Sequence, residues 1–325
     1  MLSSFTKFKY LMSNILIIKH GSLGDIVQIS GVLKDIRENQ PYKKIFILTT
    51  FPYVELLSRC PYIDAVLIDK RLPRWNFFYL LKLVKTIKKY NFSHVYDLQN
   101  SSRTSFYKNF LFKNLIWSST ENTLSSNENK KDFDQDPVLE RFKVQLERSN
   151  IKTKHCLKPD FSWATINVDQ IVNKFIGKKF ILVFPFCSLK LSHKEWPHFN
   201  ALIKMITDSF PDLEVAMAPG PKELNKAKKI NAITITNNQK VLNIPELAGL
   251  IKKSIYVVSN DTGPAHMSAH LGKDGLVIFG PHTTPSKVSI ETEKFKSISA
   301  KNLNEISPEK VYSLIKDKIK QLLIN

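Results

Sequence analysis

Short apolar runs that favour β-structure alternate with helical stretches along almost the whole chain, and they do so in two separate series. The first series is SNILIIK (13–19), KIFILTT (44–50), DAVLID (64–69), HVYDLQ (94–99) and LIWSS (115–119). The second is FILVFP (180–185), EVAMAP (214–219), AITIT (232–236), YVVSN (256–260) and GLVIFG (275–280). Apolar residues at helical spacing fill the gaps, over 24–39, 53–59, 75–90, 101–112 and 138–149, then 197–210, 221–230, 245–254 and 263–271. In 75–90 the lysines read as the outer face of such a helix. Continuously apolar strands joined by helices require a parallel sheet covered on both faces. Between the series, ENTLSSNENKKDFDQDP (121–137) is polar and aperiodic and reads as a loop. The expectation is therefore an α/β protein of two Rossmann-like, doubly wound parallel-sheet domains, residues 1–165 and 166–325. A last helix, 308–324, is free to pack on either half.

Bulk properties exclude several function classes. No apolar run approaches the ~20 residues of a membrane span, and MLSSFTKFKYLM lacks the apolar core of a signal peptide. Met12 directly precedes the first strand, so residues 1–11 are expected to be an extension or a mis-assigned start. Three distant cysteines, Cys60, Cys156 and Cys187, argue against a disulfide framework and for a reducing, cytoplasmic setting. Net charge is +19, but only seven of the 48 basic residues are arginine and the lysines are spread over many helices. Without a basic strip interleaved with aromatics, nucleic acid is not an expected partner. An anionic glycolipid or membrane surface fits the charge better.

In open α/β sheets ligands sit at the carboxyl ends of the strands, and the unusual residues of this chain lie there. KHGSLGD follows the first strand. Its glycines allow a tight turn, but it matches neither a dinucleotide fingerprint nor a P-loop. Asp25 opens the following helix, either as a residue satisfying helix amides or as a general base. In the second half, SNDTGPAH supplies Asp261, Thr262, Gly263 and His266 at a strand-to-helix turn whose free amides suit phosphate oxygens. SHKEWP supplies Lys194, which could neutralise a leaving phosphate, and APGPKE supplies Glu223, a candidate for ribose hydroxyls. His266 and His270 have the i,i+4 spacing of metal ligands without the intervening glutamate of HExxH, and DFDQDP (132–137) follows no strand, so no metal site is expected.

Taken together, K-x-x-S-L-G-D near the N-terminus, K-x-W-P early in the second half and D-T-G-x-x-H-x-S-A late in the chain resemble the ADP-heptose:lipopolysaccharide heptosyltransferases. That resemblance implies the GT-B fold, with two Rossmann-like domains facing across a cleft, donor on the C-terminal one and acceptor on the N-terminal one. It implies an inverting, metal-independent transfer of heptose from ADP-heptose to a lipopolysaccharide core or lipid A acceptor. No cofactor is implied, the nucleotide sugar being a substrate. By the same resemblance Asp25 is the catalytic carboxylate, and Lys194, Asp261, Thr262, Gly263, His266, Glu223 and Ser188 bind the donor. Ser22, Gly24 and Arg103 lie on the acceptor side. The expected location is the cytoplasm, peripheral to the inner membrane. The loop before Lys194, PFCSLKLSH, departs from the family's small-residue pattern. Transfer of another nucleotide sugar to a different glycan, epimerisation, and nucleotide-sugar binding without turnover are the alternatives.

Overall fold

A computed structural model describes residues 13–324, the side chains of 189 and 190 excepted. The expectation about residues 1–11 lies outside the described residues. The chain separates into two compact units, Met1–Pro159 and Asp160–Asn325. Residues 160–165 go with the second unit rather than the first. The reason is local: Phe161 is fully buried there and donates its backbone N–H to the His270 carbonyl at 3.0 Å.

The first unit holds strands β1 (Asn14–Ile18), β2 (Ile45–Thr49), β3 (Ala65–Ile68), β4 (Phe92–Asp97) and β5 (Ile116–Ser118) in the order β3-β2-β1-β4-β5, every pair parallel. Ile15 to Ile18 are fully buried, as a central strand covered on both faces demands. Each such side chain removed from water contributes about 1.5–3 kcal/mol. The stretch 24–39 forms two helices, Leu23–Gln28 and Ser30–Asn39, separated at Ile29. Asp35 on the second is fully buried and accepts the amides of Lys154, His155 and Cys156, tying the end of this unit back to its beginning. The stretch 101–112 is a helix, Ser102–Phe106, continued by a π-helical turn, Tyr107–Leu111. The polar stretch 121–137 is not wholly loop, since single turns of helix occupy Thr120–Thr123 and Lys130–Phe133. Its Asp134 pairs with Lys130 at 2.6 Å and Arg141 at 3.0 Å, as a surface acidic turn does.

The second unit holds β6 (Phe180–Phe184), β7 (Glu214–Met217), β8 (Ile233–Thr234), β9 (Tyr256–Asn260), β10 (Gly275–Phe279) and β11 (Phe295–Ser299) in the order β11-β10-β9-β6-β7-β8, again all parallel. β11 is absent from the sequence expectation. The last helix, Pro308–Ile324, buries Val311, Ile315 and Ile319 in the core of this unit beside Leu202, Ile206 and Trp196. That i, i+4, i+8 stripe decides its place. Cys60, Cys156 and Cys187 are buried free thiols, and burial pushes Cys60 and Cys187 up to about 12.

In each sheet the order reverses next to the unit's first strand, between β1 and β4 and between β6 and β9. At such a reversal the two following loops leave in opposite directions and open a crevice at the strand ends. The loops after β1 and β4, and after β6 and β9, are therefore the places where this fold can hold a ligand.

Candidate active site

The loop after β1 is built around one glycine. Gly21 has φ +117°, and a Cβ there would stand 2.4 Å from the Tyr53 ring. Only glycine fits both demands. Ser22 then caps the helix Leu23–Gln28, and Asp25 at its third position closes a capping box. Asp25 Oδ2 accepts from the Ser22 amide at 2.6 Å and the Ser22 hydroxyl at 2.9 Å, while Oδ1 lies 3.5 Å from Lys19 Nζ. The Asp25 side chain keeps 40% of its surface exposed, so a solvent-side molecule can reach it. Ser22 is engaged with Asp25, and Gly24 is buried in the helix's first turn.

Lys19 has no role in the sequence reading, yet it is the fixed cation of this loop. Its buried ammonium donates to the Leu98 carbonyl at 2.9 Å, joining the loops after β1 and β4. Burial pulls it below the usual lysine range, and the Asp25 and Asp97 carboxylates partly offset that. His20 lies behind the loop with Nε2 2.9 Å from Asp69 Oδ2. Asp69 also accepts from Tyr107 Oη at 2.7 Å and from Tyr79 Oη. Burial pushes this carboxyl up, but the hydrogen bonds from His20, Tyr79 and Tyr107 outweigh it and hold it well below the usual range. Arg103, expected on the acceptor side, donates to Tyr107 Oη at 2.8 Å and to the Arg71 and Leu72 carbonyls at 3.0 and 2.6 Å. Its charge braces the loop after β3.

In the second unit the loops after β6 and β9 meet. Asn260, the last residue of β9, donates to the Pro185 carbonyl at 2.8 Å and accepts the Trp196 amide at 3.1 Å. Trp196 is anchored by its own Nε1–H on the Ile306 carbonyl at 2.8 Å. This frame brings Lys194 Nζ to 2.9 Å from Asp261 Oδ2. His282 Nε2 reaches the same oxygen at 2.8 Å, and His266 Nε2 lies 3.8 Å from Oδ1. The Asp261 side chain is only 6% exposed. Burial raises its carboxyl, but Lys194 and His282 outweigh that and hold it below the ordinary value. Burial holds His282 below the ordinary histidine range, against the pull of Asp261. His282, in the loop after β10, was not singled out from sequence. Its only signal there was a histidine just beyond a strand end.

Thr262 caps the helix Gly263–His270 with extended backbone but no side-chain hydrogen bond to its first turn. The Thr262 hydroxyl lies 3.3 Å from the Asn260 carbonyl and 3.2 Å from Ser259 Oγ. The helix start thus presents amides and a positive dipole end next to Lys194. Glu223 accepts the Gly220 amide at 2.7 Å, and burial raises its carboxyl. Glu195, which the sequence reading left unassigned, holds the loop after β6 by accepting from the Cys187 amide and Lys226 Nζ, both at 3.1 Å. Ser188 is exposed, and among the described residues no hydrogen bond joins it to the Lys194–Asp261 group. His266 and His270 stack at 6.5 Å, and burial, with His266, pushes His270 down to about 3.

With this geometry in place, the comparisons with known proteins are specific. Residues 80–315 match the model of glycosyltransferase family 9 (heptosyltransferase). The chain belongs to that family. It is 25% identical over 309 residues to lipopolysaccharide heptosyltransferase 1 of Campylobacter coli, covering 84% of each chain. It is 24% identical over 280 residues to the lipopolysaccharide core heptosyltransferase OpsX of Haemophilus influenzae, covering 82% of this chain and 78% of the other. Among solved structures, Escherichia coli heptosyltransferase WaaC with ADP-2-deoxy-2-fluoro heptose superposes with TM-score 0.71 at 16% identity, over 94% of this chain and 99% of that one. E. coli ADP-heptose lps heptosyltransferase II gives TM-score 0.72 at 18% identity, over 96% and 98%. The fold is GT-B, and this family-9 glycosyltransferase carries its unusual residues at the ligand-binding ends of both sheets.

Proposed function

We propose that this chain transfers heptose, with inversion at the anomeric carbon, from ADP-heptose to a lipopolysaccharide-type acceptor. Two relatives are named as lipopolysaccharide heptosyltransferases, and the charges of the site suit such a transfer. Asp25, exposed and held by Ser22, takes the proton of the attacking acceptor hydroxyl as that oxygen bonds to the anomeric carbon. Lys19, 3.5 Å from Oδ1, and Ser22 hold the carboxylate in place. The C1–oxygen bond to the diphosphate breaks, and its electrons pass to the departing ADP. Lys194 and the first-turn amides of the helix Gly263–His270 stabilise that growing charge. Asp261 orients Lys194 and His282, and Glu223 is the carboxylate for the donor's ribose. In this reading the fixed cations do the work of a metal ion, and the anionic glycolipid acceptor keeps the enzyme at a membrane surface.

The observation that carries the reading is the Lys194–Asp261–His282 group beside the start of a helix without a side-chain cap. It is an arrangement that favours an anionic leaving group. The test is an assay with ADP-heptose and a heptose-free lipopolysaccharide acceptor in the presence of a chelator. One ADP should appear for each heptose incorporated. Preference for a UDP- or GDP-linked sugar, or release of free sugar without acceptor, would overturn the reading.

A further inference from the structure

The helix Phe77–Lys88 meets its sheet through Leu80, Leu83 and Ile87. Its outer face is not merely the row of lysines that the sequence pattern suggests. Phe77, Phe78 and Leu81 point outward from the first turns, Phe78 with 87% of its surface exposed. Trp75 and Leu72, in the loop before the helix, are also exposed, Trp75 by 81%. Isolated exposed apolar residues are ordinary, but a joined group of large ones marks a binding surface.

This group stands on a braced loop. Arg103 holds the carbonyls of Arg71 and Leu72, and the Asn76 side chain caps the helix by accepting the Tyr79 amide at 3.0 Å. Arg74 donates to Ser102 Oγ at 2.9 Å and lies 5.5 Å over the Phe106 ring, which stacks at 5.0 Å on the exposed Phe110. The apolar surface thus continues onto a second segment of the same unit. Its charge is one-sided: residues 70–89 contain seven lysines and arginines and no aspartate or glutamate, a basic strip beside aromatics that the sequence pattern had not brought out. Lys82, Lys85, Lys88 and Lys89 are exposed along the far end of the helix.

We propose that this face is a membrane-docking surface. The aromatic end enters the headgroup–acyl boundary of an anionic bilayer, and the lysines lie over the lipid phosphates. A second copy of this chain is a poor occupant, because the same cations would face one another. Single-stranded nucleic acid is poorer than a bilayer because the apolar surface includes aliphatic Leu72 and Leu81, which offer no stacking plane for a base. The choice of a lipid surface also rests on the lipopolysaccharide reading above.

Vesicle sedimentation with the full chain tests it. The protein should bind phosphatidylcholine vesicles containing phosphatidylglycerol far better than phosphatidylcholine alone, and added salt should weaken binding. The W75S/F78S and K82E/K85E double variants, all at exposed positions, should each lose about tenfold or more of that binding. W75S/F78S should keep transfer to a water-soluble acceptor without acyl chains, whereas Asp25→Asn should keep vesicle binding while transfer fails. Vesicle binding by a wild type that shows no transfer would thus count against the active-site reading, not the docking surface. Wild-type vesicle binding by both double variants would overturn the proposal. So would displacement of the wild type from vesicles by single-stranded RNA, or a dimer in light scattering that W75S/F78S abolishes while vesicle binding is unchanged.

Discussion

Two aspartates follow the first strand of one sheet and the fourth of the other, and each stands at or just before a helix start, yet their surroundings are opposite. Asp25 is 40% exposed, has one cation at 3.5 Å and is oriented by a neighbouring serine. Asp261 is 6% exposed and ringed by Lys194, His282 and His266. An accessible carboxylate with lone pairs facing solvent can accept a proton from a substrate. A buried one locked to a lysine and a histidine cannot do so cheaply, but it can fix the positions of those groups for an incoming anion. The same residue type, placed beside the order reversal of each sheet, thus suits a chemical role in one unit and an organising role in the other.

The sharpest break of this contrast is removal of Asp25. Asp25→Ala should lower turnover by roughly 10²–10⁴, with the fold intact in circular dichroism and a stability loss of only about 1 kcal/mol from the capping box. Near-normal transfer would end its role as base. Next in size is Lys194→Ala. It leaves Asp261 buried without its lysine, so denaturant unfolding should show a loss of roughly 3 kcal/mol at neutral pH. The sign with pH follows from the lowered Asp261 carboxyl. Its stabilisation is full above the unfolded carboxylate value and is lost as pH falls through the still lower folded value. The gap between wild type and Lys194→Ala should therefore be widest at neutral pH and narrow below about pH 4. A gap constant with pH would mean that Asp261 is not the partner that matters.

Most of this frame was legible in the sequence because the strands at the centre of each sheet, such as NILII and FILVF, are almost wholly apolar, a pattern that survives any change in loops. β11 was not, because in this edge strand, FKSIS, only Phe295 and Ile298 are buried, three residues apart, which gives neither an apolar run nor a period of two. Asp25, Lys194 and Asp261 stood out as candidates because their motifs lie at strand ends. Lys19 and His282 were missed because their roles come from folding, which carries them to the Leu98 carbonyl and to Asp261 from far along the chain. The hydrogen bonds of Arg103 were equally out of view, its partners being carbonyls of a loop some thirty residues away. The exposed aromatics of 75–90 were hidden because helical spacing shows that a face is apolar, not which face meets the sheet.

Smaller effects sharpen the comparison. His270 lies at the end of the donor-side helix, and its imidazole falls from 6.5 to about 3 on burial. The native state then holds it neutral while the unfolded chain protonates. Stability should therefore drop as pH falls from about 6.5 towards 3, by up to about 1.4 kcal/mol per pH unit. In urea titrations His270→Gln should flatten that slope, and an unchanged slope would assign it elsewhere. Smallest of all, Ser22→Ala removes the hydroxyl bond to Asp25 but keeps the amide bond. It should cost about 1 kcal/mol of stability and only a few-fold in turnover. A loss as large as that of Asp25→Ala would give the serine a chemical role of its own.

The division of labour between the two loops is tested most directly by calorimetric titration of ADP-heptose into Asp25→Asn and Lys194→Ala side by side. Asp25→Asn should bind the donor within about twofold of wild type, and Lys194→Ala should bind it about tenfold or more weakly. Equal weakening by both variants, or an unchanged affinity in Lys194→Ala, would contradict the assignment of proton transfer to one aspartate and leaving-group stabilisation to the lysine beside the other.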